Sequence, residues 1–218
     1  MKIRKIVYFI LMFLPLAVIL IALPYLPEKI PAHYGFDNQV DRWGSKYEEL
    51  LFPVVCIFMG CFMLGMAKLA ARQEEHGENN KNVIIVTGIL ILILFNALNG
   101  YSLYTSFHKV ENLSSVSLDI SQLVFGIMGM LMIVIGNIMP KLRMNSMIGL
   151  RTHWSMKDEI TWNKIQHIGG ISFIIGGIII IGICVTMKGI LCLLAVLGVL
   201  AILIVIDIFL TYRIAKVN

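Results

Sequence analysis

Apolar and polar positions along this chain fall into long blocks rather than into a short alternating period. Six apolar runs stand out, at about 6–25, 50–70, 83–105, 120–139, 168–187 and 189–212. A hydrocarbon core about 30 Å thick needs roughly 20 apolar residues of helix, so each run is long enough for one crossing. Five connections separate the runs. The first (26–49) is rich in Pro, Asp and aromatics, the second (71–82) is polar, and the third (106–119) is rich in Ser and Asn. The fourth (140–167) is long and basic, and the fifth is a tight turn at Lys188-Gly189. The pattern predicts an all-α polytopic membrane protein with six transmembrane helices. It divides at the second connection into residues 1–70, two spans with the loop 26–49, and residues 83–218, four spans with the loop 136–167.

Composition sharpens this picture. Hydrophobic residues make up 58% of the 218 and charged residues only 14%. A soluble domain carries about 25% charged residues, so a soluble or disordered chain is excluded. Six crossings leave too few residues for a separate catalytic domain. The net charge of +5 invites a nucleic-acid reading, but Lys and Arg in a membrane chain chiefly encode orientation. With the N-terminus inside, 13 of the 18 Lys and Arg fall on the cytoplasmic side and 5 outside. This asymmetry predicts that both termini are cytoplasmic, and no direct nucleic-acid binding is expected. Lys2, Arg4 and Lys5 precede an apolar run from Ile6 to Leu23 that is too long for a signal peptide, so it reads as a retained first span. Cys56, Cys61, Cys184 and Cys192 all lie in apolar runs without a CxxC pair and read as small hydrophobes.

Few polar side chains enter the spans. Asp207 lies about five residues from the end of the last one; it is either a functional intramembrane acid or an interfacial partner for a loop cation such as Arg151. Asn96 and Asn99 share a helix face, and either line a polar path or hydrogen-bond between helices. The pairs Ser172/Gly176 and Gly126/Gly129 are small residues suited to close helix contact.

Two connections carry candidate recognition residues. In the first, Pro31 keeps Ile30 extended, His33, Tyr34 and Phe36 suit a strand, and Asp37-Asn38 suits a turn. Val40 to Trp43 returns as a second strand, and Ser45 with Glu48 forms a capping box for the next helix. His33, Tyr34, Asp41, Arg42 and Trp43 are the candidate ligand-facing residues. Interfacial anchoring by Tyr34, Phe36 and Trp43 is the competing reading. The spacing of His33, Asp37 and Asp41 matches no strong metal motif, and no cofactor is expected.

In the fourth connection Pro140 ends a span. Ser155, with Asp158 three residues on, reads as an N-cap for a helix from about Met156 that carries Ile160, Trp162 and Ile165 into the fifth span. Arg151, Lys157 and Lys164, with Trp154 and Trp162, suit either a basic amphipathic segment on anionic lipid or a docking surface for a cytoplasmic partner. No HExxH, GxSxG or CxxC occurs, so an enzyme is not expected.

The two loops together resemble a known family. Leu26-Pro27, Ile30-Pro31, His33-Tyr34-Gly35 and Asp41-Arg42-Trp43-Gly44-Ser45-Lys46 resemble a short domain of unknown function. Gly136-Asn137, Pro140-Lys141, Ile148-Gly149-Leu150-Arg151-Thr152, Trp154, Asp158-Glu159 and Trp162 are similar to the bacterial Sdp immunity (SdpI) family. The resemblance implies a multi-pass protein of the bacterial cytoplasmic membrane that gives resistance to a secreted peptide toxin and sequesters a small transcriptional repressor at the membrane. It implies cytoplasmic docking through Asn137, Pro140, Gly149, Arg151, Thr152, Trp154 and Trp162. A small transporter or channel is the alternative.

Overall fold

A computed structural model describes residues 2–35, 37–72, 77–117, 119–145 and 148–217. Six long helices run through it: α1 (Lys2–Ala22), α2 (Leu51–Ala71), α3 (Gly77–Phe107), α4 (Ile120–Ile138), α5 (Glu159–Thr186) and α6 (Gly189–Val217). Each is long and apolar enough to cross a membrane. Their outward surfaces are Ile, Val, Leu and Phe, as at Phe58, Val185 and Val205, which suits contact with lipid chains. The chain is a multi-pass membrane protein. Its first connection holds a hairpin of β1 (Lys29–Tyr34) and β2 (Val40–Ser45), paired antiparallel with Pro31 opposite Trp43 and Tyr34 opposite Val40. Asn38 takes the left-handed conformation at the turn (φ 63°), a conformation that Asn tolerates unusually well.

Two helix boundaries differ from the sequence reading. The polar stretch before the third run is helical from Gly77 onward, so α3 projects past its apolar segment. There Asn79 Nδ2 donates to the Lys141 carbonyl (2.8 Å), a tie to the fourth connection that the hydropathy pattern does not encode. The fifth helix starts at Glu159, with Asp158 rather than Ser155 as its N-cap. Asp158 Oδ1 accepts from Thr161 N–H (2.7 Å) and Oδ2 from the Thr161 hydroxyl (3.0 Å). Those bonds hold the Asp158 carboxyl below the usual carboxylate range. Ser155 is fully buried and instead closes a turn with Thr152: Thr152 N–H donates to Ser155 Oγ (2.8 Å) and Ser155 N–H to Thr152 Oγ1 (3.0 Å).

The helices pack as α1–α2–α3 and α4–α5–α6, joined along α3 and α4. In the first group Tyr8, Met12, Cys56 and Leu92 form a buried cluster, and the Tyr8 hydroxyl donates to the Gly60 carbonyl (2.8 Å). In the second, backbones touch. A Cβ built on Gly170 would lie 2.5 Å from the Gly136 carbonyl oxygen, and one on Gly177 would lie 2.5 Å from that of Gly129. Gly129 is thus a close-contact residue, as the sequence suggests, but its partner in that role is not Gly126, whose Cβ would meet nothing within 4 Å. Gly176 faces Leu203 of α6.

Candidate functional site

At the hairpin end, three connections converge into one ordered cap. The hairpin tip is stitched to the third connection: Val40 N–H donates to the Glu111 carbonyl (2.9 Å) and Leu113 N–H to the Asn38 carbonyl (2.9 Å). Asp119 lies beneath, almost fully buried, as the N-cap of α4. Its Oδ1 accepts from Ser121 N–H (2.8 Å) and, more weakly, from Gly189 N–H at the turn into α6 (3.3 Å). Its Oδ2 meets the Asn38 amide at 3.4 Å. One carboxylate thus gathers the turns at 38, 119 and 189. The capping box expected at Ser45 and Glu48 is present, with Ser45 N–H donating to Glu48 Oε1 (3.2 Å).

A cavity of about 320 Å³ lies under this cap. His33 and Tyr34 of β1 line one side, and Tyr101, Ser102 and Thr105 of α3 the other. Tyr34 is half-buried and donates its hydroxyl to the Val110 carbonyl (2.8 Å), and burial raises its phenol above the ordinary value. It therefore braces the cavity wall as a neutral donor. His33 Nδ1 lies 2.6 Å from Asp41 Oδ1 across the hairpin, and Arg42 of β2 pairs with Glu48 of the following turn at 2.9 Å; both pairs are exposed. Trp43 is 42% exposed and is not part of the cavity lining. The five candidate residues therefore divide: His33 and Tyr34 face the cavity, Asp41 is exposed and pairs with His33, and Arg42 and Trp43 sit on the outer surface. Phe36 lies outside the described residues.

The sequence reading missed the acid next to this cavity. Glu49 is 2% exposed, and its Oε1 accepts from the hydroxyls of Ser102 (3.0 Å) and Ser106 (2.5 Å) on α3. Oε2 is buried without a hydrogen-bond partner among the described residues. Ser102 both lines the cavity and holds this carboxyl. The available signal was Ser102 and Ser106, four apart on one face of an apolar helix.

Asn96 behaves as an interhelical strut, its Nδ2 donating to the carbonyls of Leu11 and Leu92 (both 2.8 Å). Asn99 is buried, its Oδ1 without a partner among the described residues. Asp207 is 5% exposed and does not pair with Arg151, which is exposed; among the described residues no ion pair joins them. The Ser172 hydroxyl lies beside the Asp207 carboxyl without a hydrogen bond of ordinary length, and Oδ1 has no partner among the described residues. The loop leaves Arg151 at the surface because its neighbours on both sides are pinned to α5 and to the Thr152–Ser155 turn.

At the opposite end the fourth connection is clamped by α5. The Gln166 amide makes two bonds to Leu150, one to its N–H and one to its carbonyl (both 3.0 Å). Gly149 adopts φ 110°, and a Cβ there would strike Gln166 Oε1 at 2.8 Å, so both backbone and space call for glycine. Trp162 is fully buried and donates Nε1 to the Leu142 carbonyl (2.9 Å). Asn145 closes a turn, accepting from Ile148 N–H (2.8 Å) and donating to the Arg143 carbonyl (2.7 Å). Among the docking candidates, Gly149, Thr152 and Trp162 hold the loop in shape. Asn137, Pro140 and Arg151 are exposed, and Trp154 is partly so, its ring edge-to-face with Tyr212 at 5.5 Å.

Comparison with known proteins falls on these same segments. The SdpI/YfhL protein family matches residues 141–208, and a domain of unknown function (DUF1648) matches residues 10–57. The chain is similar to the immunity protein SdpI of Bacillus subtilis (strain 168), at 25% identity over 178 residues that cover 81% of this chain and 79% of that protein. The resemblance carried by the two loop motifs is thereby met, and the chain is a multi-pass bacterial membrane protein similar in part to the SdpI/YfhL family. No solved structure matches it.

Proposed function

We propose that this chain is a membrane immunity protein whose hairpin end faces outward and meets a secreted peptide toxin. The fourth connection, at the opposite end, holds a small cytoplasmic repressor. The similarity to an immunity protein over four-fifths of both chains carries the reading. The cap supports it: three connections tied through Asp119 make a rigid outer surface over a cavity, and a preformed surface binds without paying for loop ordering. Trp43 and Arg42 on the hairpin's exposed face are the residue types that most often anchor an interface. Rigidity at the far end suits a docking surface for the same reason, with Arg151 presented between fixed neighbours.

The test is protection of a toxin-sensitive strain expressing the chain against candidate membrane-active peptides. Trp43→Ala is expected to lower the protective dose about tenfold or more at unchanged membrane level, the loss of one interface anchor. Parallel loss of protein and protection would show that Trp43 only anchors the hairpin. Orientation is checked separately. A cysteine replacing Glu28, whose side chain is 82% exposed, is expected to react with a membrane-impermeant maleimide in intact cells. One replacing Glu78, 68% exposed at the other end, is expected to react only after lysis. The reverse pattern would end the outward-hairpin reading.

A further inference from the structure

The SdpI-like segment ends in a feature that toxin recognition does not use. A pocket of about 180 Å³ opens between the 153–157 turn and the end of α6. It is lined by His153, Trp154, Lys157, Tyr212, Ala215 and Lys216. The reciprocal Thr152–Ser155 bonds fix the turn, and the edge-to-face contact of Trp154 with Tyr212 fixes the turn against α6. The pocket is therefore built, not a chance meeting of flexible side chains. Its charge is positive and largely uncommitted. Among the described residues neither Lys157 nor Lys216 makes an ion pair, and Lys157 Nζ has only a long contact to the Ala215 carbonyl (3.4 Å). The neighbouring acid, Asp158, is occupied in capping α5.

We propose that this pocket binds the phosphate of an anionic lipid headgroup. Two ammoniums in a fixed notch suit a phosphodiester monoanion, and His153 adds a third donor. The face of α6 below the pocket decides for lipid over a soluble anion. Val205, Ile208, Tyr212 and Lys216 follow one another at helical spacing on one side, and Val205 is 67% and Ile208 48% exposed. The pocket thus runs directly into a surface made for acyl chains. Tyr and Trp at its wall prefer the headgroup level. An acidic protein segment would use the lysines but leave that apolar continuation bare. The bound lipid would staple the SdpI-like loop to the last helix. This goes beyond the immunity reading and does not depend on it.

The experiment uses the full chain in nanodiscs of equal phosphatidylglycerol and phosphatidylcholine, released into mild detergent, with retained lipids counted by native mass spectrometry. A lysine near a lipid surface contributes about fivefold in binding. Wild type is expected to retain phosphatidylglycerol over phosphatidylcholine by about tenfold or more. K157Q/K216Q is expected to lose most of that preference, K157R/K216R to keep it, and K68Q/K141Q, which removes two charges at the same end outside the pocket, to keep it too. Melting temperatures identify any variant that fails to fold, in which case K157Q and K216Q singly carry the comparison, each expected to lose about fivefold. Equal retention of the two lipids by wild type, or equal loss in K157Q/K216Q and K68Q/K141Q, overturns the proposal. So does displacement of phosphatidylglycerol by excess inorganic phosphate, which would mark a free-anion site. An acidic protein that co-purifies with wild type and is lost from K157Q/K216Q, with lipid preference unchanged, overturns it as well.

Discussion

Trp162→Ala is expected to cost about 3–5 kcal/mol, the range for truncating a fully buried aromatic. Two effects add. The indole fills the space among Met139, Leu142 and the start of α5, so its removal leaves a cavity that helices held at both ends close only in part. Its Nε1–H is also the partner of the Leu142 carbonyl at 2.9 Å, and a buried acceptor left bare adds its own penalty. The fourth connection should then detach from α5 as a unit, because Trp162 and Gln166, which hold Leu142 and Leu150, lie four apart on one face of α5. The measurement is the melting temperature of the purified chain in detergent, beside its level in membranes. Trp154→Ala is the comparison. That ring is only half-buried and packs edge-to-face on Tyr212, so it should shift stability by less than a third as much. Equal losses from the two tryptophans would refute the frame described for this loop.

Gly170→Ala is the second large effect, about 2–3 kcal/mol of destabilisation. A methyl there would lie 2.5 Å from the Gly136 carbonyl oxygen, and a backbone oxygen inside a helix cannot rotate aside. The whole of α4 must move away from α5, and the contact at Gly129 and Gly177, seven residues along each helix, opens with it. The gain of up to about 1 kcal/mol from replacing glycine in a helix does not offset this. Gly126→Ala meets open space and collects that gain without the clash, so it should be neutral or slightly stabilising. Melting temperatures of the two variants in the same detergent decide the matter. A destabilised Gly126→Ala beside a tolerated Gly170→Ala would show that the α4–α5 contact is misassigned.

Much of the hairpin end is legible in the sequence. The capping box at Ser45 and Glu48, the turn at Asp37-Asn38 and the two strands follow from residues within a few positions of one another. The cavity was not legible, because it needs Tyr34 and Ser102 on facing elements, 68 positions apart in the chain. Nor was Asp119 visible as the meeting point of three turns, although Asp119 with Gln122 is itself a local capping box. The N-cap of α5 shows how close competitors differ. Ser155 and Asp158 are both capable caps, and Ser155 loses because Thr152 engages its hydroxyl and its N–H first.

By itself, then, the sequence determined the number and order of the spans, the polar cap between the first two and the basic loop between the fourth and fifth. Those features depend on hydropathy summed over about 20 residues and on turn chemistry over four, both of which are local. Only the tertiary structure decided how each helix faces its neighbours: which glycines touch, that Glu49 is buried against Ser102 and Ser106, and that Asp207 lies beside Ser172 rather than paired with Arg151. The physical reason is the solvent. A helix in water shows its buried face as an apolar stripe, whereas lipid chains are as apolar as the packed interior, so a helix in a bilayer is apolar all round and its contact face leaves no such mark.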